Sequence, residues 1–155
     1  MWRLVRLLLF ASCCVLVSAT EPQPVPEDVT FCQLAKNPTA YSGKLVRIRA
    51  VYSYMFEISS LQSPTCCSQR GALIWVDFDE LHGKSKRLLN SFPKGMGYVL
   101  AVFVGKIETG DVYGPFGEQA RLVVVQIDRV EKKANPPTGQ NPVWVPRDCV
   151  GRPVP

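Results

Sequence analysis

The amino-acid sequence predicts a mainly β fold: a small barrel or strongly bent sheet of four or five strands, with a short N-terminal helix and a Pro-rich C-terminal strap. Three observations predict it. Period-two alternation of apolar and polar residues runs from Val46 to Glu57, the mark of a strand with one buried face. Two further apolar segments, Tyr98–Val104 and Ala120–Val130, flank a glycine-rich excursion at 110–119, as the arms of a hairpin would. Nowhere do strand and helix patterns alternate in the manner that builds a parallel sheet.

Each element follows in chain order. Residues 20–28 are acidic and proline-rich, which suits an extended leader. Thr30 is placed to cap a helix of about two turns through Phe31, Leu34 and Ala35. Asn37-Pro38 ends it, because the residue before proline is pushed out of helical geometry. After a Ser42-Gly43 turn comes the long strand, with Val46, Ile48, Ala50, Tyr52, Tyr54 and Phe56 on one face. Arg47, Arg49, Val51, Ser53, Met55 and Glu57 form the other, expected to be mostly wet. Residues 59–71 read as a polar, cysteine-bearing loop.

Ala72–Phe78 reads as a second strand, with Ile74, Val76 and Phe78 opposite Leu73, Trp75 and Asp77. Asp79–Met96 reads as an irregular connection with one helical turn at Leu88, Leu89 and Phe92. Tyr98–Val104 is apolar on both faces, so it is expected to be the most central strand. In the last strand Val123, Val125 and Ile127 alternate with Leu122, Val124 and Gln126. The domain therefore spans 29–133, and the Pro-rich tail 134–155, with Trp144 and Cys149, reads as an extended strap.

The first nineteen residues are different in kind. Arg3 and Arg6 precede an almost unbroken apolar run from Leu7 to Val17, and Val17-Ser18-Ala19 offers the small residues a signal peptidase reads. The run is too short for a permanent bilayer span, so 1–19 is expected to be a cleaved signal and the mature chain to lack a transmembrane helix. Secretion or residence in the periplasm follows. Phe10-Ala11-Ser12-Cys13 is a loose lipobox, and the alternative is a lipoprotein anchored through Cys13. The whole chain carries 18 basic and 13 acidic side chains; losing Arg3 and Arg6 brings a net charge of +5 down to +3. That is mildly basic and makes a nucleic-acid partner unlikely.

Cleavage also removes Cys13 and Cys14, leaving Cys32, Cys66, Cys67 and Cys149, an even number in an exported domain. A bond between the adjacent Cys66 and Cys67 would be strained. Cys32 is therefore expected to join one of them and Cys149 the other, with a Cys149 link between two chains as the alternative.

One stretch invites comparison. Cys32-Gln33-Leu34-Ala35-Lys36-Asn37-Pro38-Thr39-Ala40-Tyr41-Ser42-Gly43-Lys44, running into Leu45-Val46-Arg47-Ile48-Arg49, resembles a pattern met in exported bacterial proteins of uncharacterised function. Tyr113-Gly114-Pro115-Phe116-Gly117, followed by Leu122-Val123-Val124, is similar to their late glycine-rich hairpin. The resemblance covers about residues 29–130 and implies an OB-like barrel; the Pro-rich tail departs from it.

The search for chemistry returns little. His82 is the single histidine, and no nucleophile motif accompanies it, so no catalytic residue is assigned. Cys66-Cys67 lacks metal-ligand spacing, and Asp77, Asp79 and Glu80 form the one local acidic cluster, which a strand end running into a wet loop explains without a metal. Neither metal nor cofactor is expected. Glycines 110, 114 and 117 do not open onto a helix and so read as turn residues rather than a phosphate cradle. OB-like barrels bind ligands across one strand face, which singles out Arg47 and Arg49 on the first long strand and Tyr113 and Phe116 on the glycine-rich loop. The bland reading has the arginines solubilising a wet face and Phe116 closing a barrel end. The leading expectation is a non-enzymatic binding module for a protein or glycan partner in the cell envelope, with specificity in loops 59–71 and 110–119. An envelope hydrolase built near Asp77, Asp79 and Glu80, or a structural subunit of an envelope assembly, are the alternatives.

Overall fold

Thr30 does what its position suggests. Its hydroxyl accepts from Gln33 N at 3.2 Å while Gln33 Oε1 accepts from Thr30 N at 2.9 Å, a reciprocal cap that starts helix α1, Phe31–Lys36. The structure, a computed structural model, describes residues 24–55, 58–62, 73–115 and 117–134. The expected signal at 1–19 with Cys13, the side chains of Phe56, Cys66, Cys67 and Phe116, and the tail with Cys149 lie outside the described residues.

Strand β1, Glu27–Thr30, is drawn from the end of the expected leader and pairs in parallel with the start of β2, Leu45–Met55. β3 is Ile58–Gln62, β4 Ile74–Asp77, β5 Gly97–Tyr113 and β6 Glu118–Ala134, with helix α2, Gly83–Asn90, between β4 and β5. The sheet runs β1-β2-β3-β4-β6-β5, and β5 pairs back onto β2 along Leu45–Tyr54. Five strands thus close a small OB-like barrel, and β1 is the extra one. Val46, Ile48, Ala50 and Tyr52 point inward with Val99, Ala101, Phe103, Leu122 and Val124, and Leu34 of α1 joins them. No helix of the described residues is long and apolar enough to cross a membrane.

Four expectations are corrected. Residues 58–62 are a strand, not loop: Leu61 is fully buried and Ser60 nearly so, because this short segment folds back onto the far half of β2. The connection before β5 holds an eight-residue helix rather than one turn, anchored where Ile127 N donates to Ser85 Oγ at 3.0 Å. Among the described side chains of the second face of β2, Arg47 and Arg49 are wet whereas Val51 and Ser53 are buried. Val51 stands opposite Leu100, and Val102 and Val104 continue that row, so β5 is buried on both faces as its composition requires.

The fourth correction concerns β6. Opposite β5 it carries an extra residue at Val125, at Asp128 and at Glu131. Each such bulge bends the strand and shifts the alternation by one. Ile127 therefore faces inward with Leu122 and Val124, while Val125 is exposed.

Candidate binding face

Arg47 and Arg49 sit two apart on β2, and their register partners on β5 are Val104 and Val102. All four therefore face the outside of the barrel. β6 lies on the far side of β5, about 10 Å from β2 at two strand spacings. The bulges bring carboxylates across that gap. Arg47 Nε donates to Asp128 Oδ2 at 2.9 Å, and Arg49 donates to Glu131 through Nε at 2.9 Å and Nη2 at 2.7 Å. Arg129 Nη2 also donates to Glu131, at 3.0 Å, and Arg47 Nη1 reaches Asp28 of β1 at 3.4 Å. The two guanidinium stems thus lie across β5, which explains why Val102 and Val104 are buried on an outer face.

These contacts set the electrostatics. Hydrogen bonds from Arg49, reinforced by Arg129, hold the Glu131 carboxyl below its usual range. Asp128 raises Arg47 further above its ordinary value, and Glu131 does the same for Arg49. A groove of about 500 Å³ opens above the ladder, with Asp28, Thr30, Arg47, Arg49, Asp128 and Arg129 at its walls and Val102 in its floor. Arg47 remains 38% exposed and Arg49 46%, so both can exchange an internal carboxylate for an external one.

Tyr113 is placed elsewhere. The Arg121 guanidinium lies 5.1 Å from its ring centroid, and the same group donates to Glu108 at 2.5 Å and to Asp77 at 3.3 Å. Tyr113 lines a second depression of about 320 Å³ with Ser42, Lys106 and Thr109. Phe116 falls outside the described residues. Asp77 is occupied, because its second oxygen accepts from Asp79 N at 2.8 Å, and Asp79 and Glu80 are exposed. Among the described residues no three His, Cys, Asp or Glu side chains converge as metal ligands. His82 is exposed at the start of α2, and its side chain caps nothing there. Cys32 is half-buried in α1; its expected partners lie outside the described residues.

Sequence reasoning found the two arginines and missed Asp28, Asp128, Arg129 and Glu131. The signal lay in the spacing of Asp128-Arg129-Val130-Glu131, where charges enter a strand and the period-two pattern breaks. No family model, curated protein or solved structure matches this chain.

Proposed function

We propose that this chain is an exported, non-enzymatic OB-like binding module that engages a protein or glycan partner in the cell envelope, through the groove over Arg47 and Arg49. The observation that carries the reading is the groove itself, a 500 Å³ channel in which three arginines and two carboxylates surround a valine floor. Exposed ion pairs of both signs suit a polypeptide segment that also carries both signs, since partner charges replace internal ones without leaving any unpaired. The acids near β4 support a binding role rather than hydrolysis: Asp77 and Glu108 are both tied to Arg121, and Asp77 also accepts from Asp79 N. Export rests on the arginine-led apolar run at 1–19 and the small residues that close it. An N-terminus at or near Thr20 in the mature protein supports that step; a lipidated N-terminal Cys13 replaces it with an anchored form.

A photoreactive residue at Thr30, in the groove wall, should capture one envelope partner in living cells. The same probe at Val112, 71% exposed on the hairpin arm, should not. Equal capture from both positions would remove the groove from the proposal.

A further inference from the structure

The groove over Arg47 and Arg49 leaves two of its charges mostly exposed. Asp28, on the β1 wall, accepts from Arg47 at 3.4 Å, and its side chain is 79% exposed. Arg129, on the β6 wall, shares the Glu131 carboxylate with Arg49 and is 68% exposed. Asp128 and Glu131 are by comparison covered, each closed off by a guanidinium from β2. Across this face the strands run β1-β2-β5-β6. The two exposed charges therefore stand on opposite walls, about 14 Å apart at three strand spacings. An occupant that meets both must be narrow, must run along the strands and must carry opposite charges on its two sides. Successive side chains of an extended chain point to opposite sides, so two adjacent residues of opposite sign satisfy that condition.

The chain carries such a pair itself. Outside the described residues, Arg147-Asp148 is the one adjacent pair of opposite charge. Residues 20–23 offer Glu21 alone, and residues 63–72 offer Arg70 alone. Arg147-Asp148 is also tethered on the right side of the groove, because it follows β6, the strand that bears Arg129. Ala134 stands opposite Tyr98 and Arg129 opposite Val102, so the groove begins about 14 Å back along the hairpin from the end of β6. Residues 135–146 separate Ala134 from the pair, and twelve extended residues reach up to about 37 Å. That is enough to turn back and enter the groove. Pro136, Pro137, Pro142 and Pro146 lie between, and proline lowers the conformational entropy lost when a segment docks extended.

We propose that the Pro-rich tail docks in this groove in cis, Arg147 against Asp28 and Asp148 against Arg129, as an autoinhibitory strap that a partner must displace. The strap rests on the reading of that groove as a binding face and adds its regulation. Two exposed ion pairs are weak on their own, but a tether holds them at an effective concentration that a free partner rarely matches. The inner ladder of Arg47 with Asp128 and Arg49 with Glu131 stays intact, because the tail uses the charges that the ladder leaves exposed.

The test places a photoreactive residue at Val150, in the tail and away from the barrel core, in the purified full chain. Irradiation should give an adduct within one chain that maps to peptides containing Asp28, Arg49 or Arg129, and its yield should fall in high salt. Arg147→Asp should lower that yield at least fivefold, and Asp28→Arg should do the same. Combining the two substitutions reverses both partners and should restore the adduct. In living cells Arg147→Asp should raise capture of a partner by the probe at Thr30 at least threefold. An adduct outside the groove, one that joins two chains, or no response to Arg147→Asp overturns the strap. Capture through Thr30 without a groove adduct from Val150 overturns the strap and leaves the groove as a binding face. A groove adduct with no partner captured, even from the Arg147→Asp chain, supports docking of the tail and removes the partner.

Discussion

At the scale of single residues, Glu131 and Glu118 show opposite fates for a carboxylate on the same strand. Glu131 accepts from two guanidinium groups and its pKa is depressed. A depressed carboxyl stabilises the fold above its unfolded pKa, and that contribution fades as pH falls through the folded value. Glu131→Gln should therefore cost about 1 kcal/mol at pH 7, and the difference from the parent should shrink steadily below about pH 4 in urea unfolding series. A cost that stays constant down to pH 2 would mean that charge is not what Glu131 contributes. Glu118 is 6% exposed, and neither of its oxygens finds a hydrogen-bond partner. Polar oxygens buried without a partner oppose folding, so Glu118→Met should raise stability by roughly 1 kcal/mol, read from the urea midpoint at neutral pH. Gly114 is the reason this carboxylate is enclosed. With φ at +62°, it brings its backbone so close that an added Cβ would stand 2.3 Å from the Trp75 ring and 2.6 Å from Glu118 Oε2. Gly114→Ala should lose about 2 kcal/mol or more, and retention of parental stability would show that the hairpin tip relaxes freely.

At the scale of the elements, alternation was a sound guide wherever strands pair without interruption. It placed Val46, Ile48 and Ala50 inward on β2, as the structure has them, and set Ile74 and Val76 on one face of β4, which the structure buries. Ile48→Asp should abolish folding, because a carboxylate at a fully buried position costs several kcal/mol with no partner to offset it. A soluble variant with a native-like NMR spectrum would refute the inward assignment. The same rule failed on β6 because it assumes one residue opposite one. Three bulges break that correspondence, and nothing in a count of apolar residues announces them. The candidate site was half legible for the same reason. Arg47 and Arg49 stand out in the strand pattern, but their partners lie 81 and 82 residues away and reach them only through those bulges. Removing the single residue Asp128 should therefore do more than delete one ion pair. It moves Arg129, Val130 and Glu131 one position along, turning Glu131 away from Arg49, and should cost about 3 kcal/mol. Substituting Asp128→Asn should cost well under half of that, and equal losses from deletion and substitution would show that the bulge has no structural part.

At the scale of the whole molecule, the barrel class was readable because it depends on strand number and the lack of crossover helices, which composition and spacing carry. The ring's closure was not, since the pairing of β2 with β5 joins segments about fifty residues apart and leaves no local mark. Such non-local pairing implies folding in milliseconds to seconds rather than microseconds, in one cooperative step. The staves of this barrel are very unequally joined. β5 and β6 run together over seventeen residues each, whereas among the described residues β4 meets β3 at two register pairs and β6 at three. A hoop yields at its shortest joint, so the Ile74–Asp77 amides should exchange with deuterium earlier than those of Val46–Ala50. When that stave lifts, it uncovers the backbone edges of β3 and β6 together, and in concentrated solution the same strand from a second chain fits both. The device that closes the barrel thereby also sets the concentration at which two barrels trade a strand and leave solution as an interlocked pair.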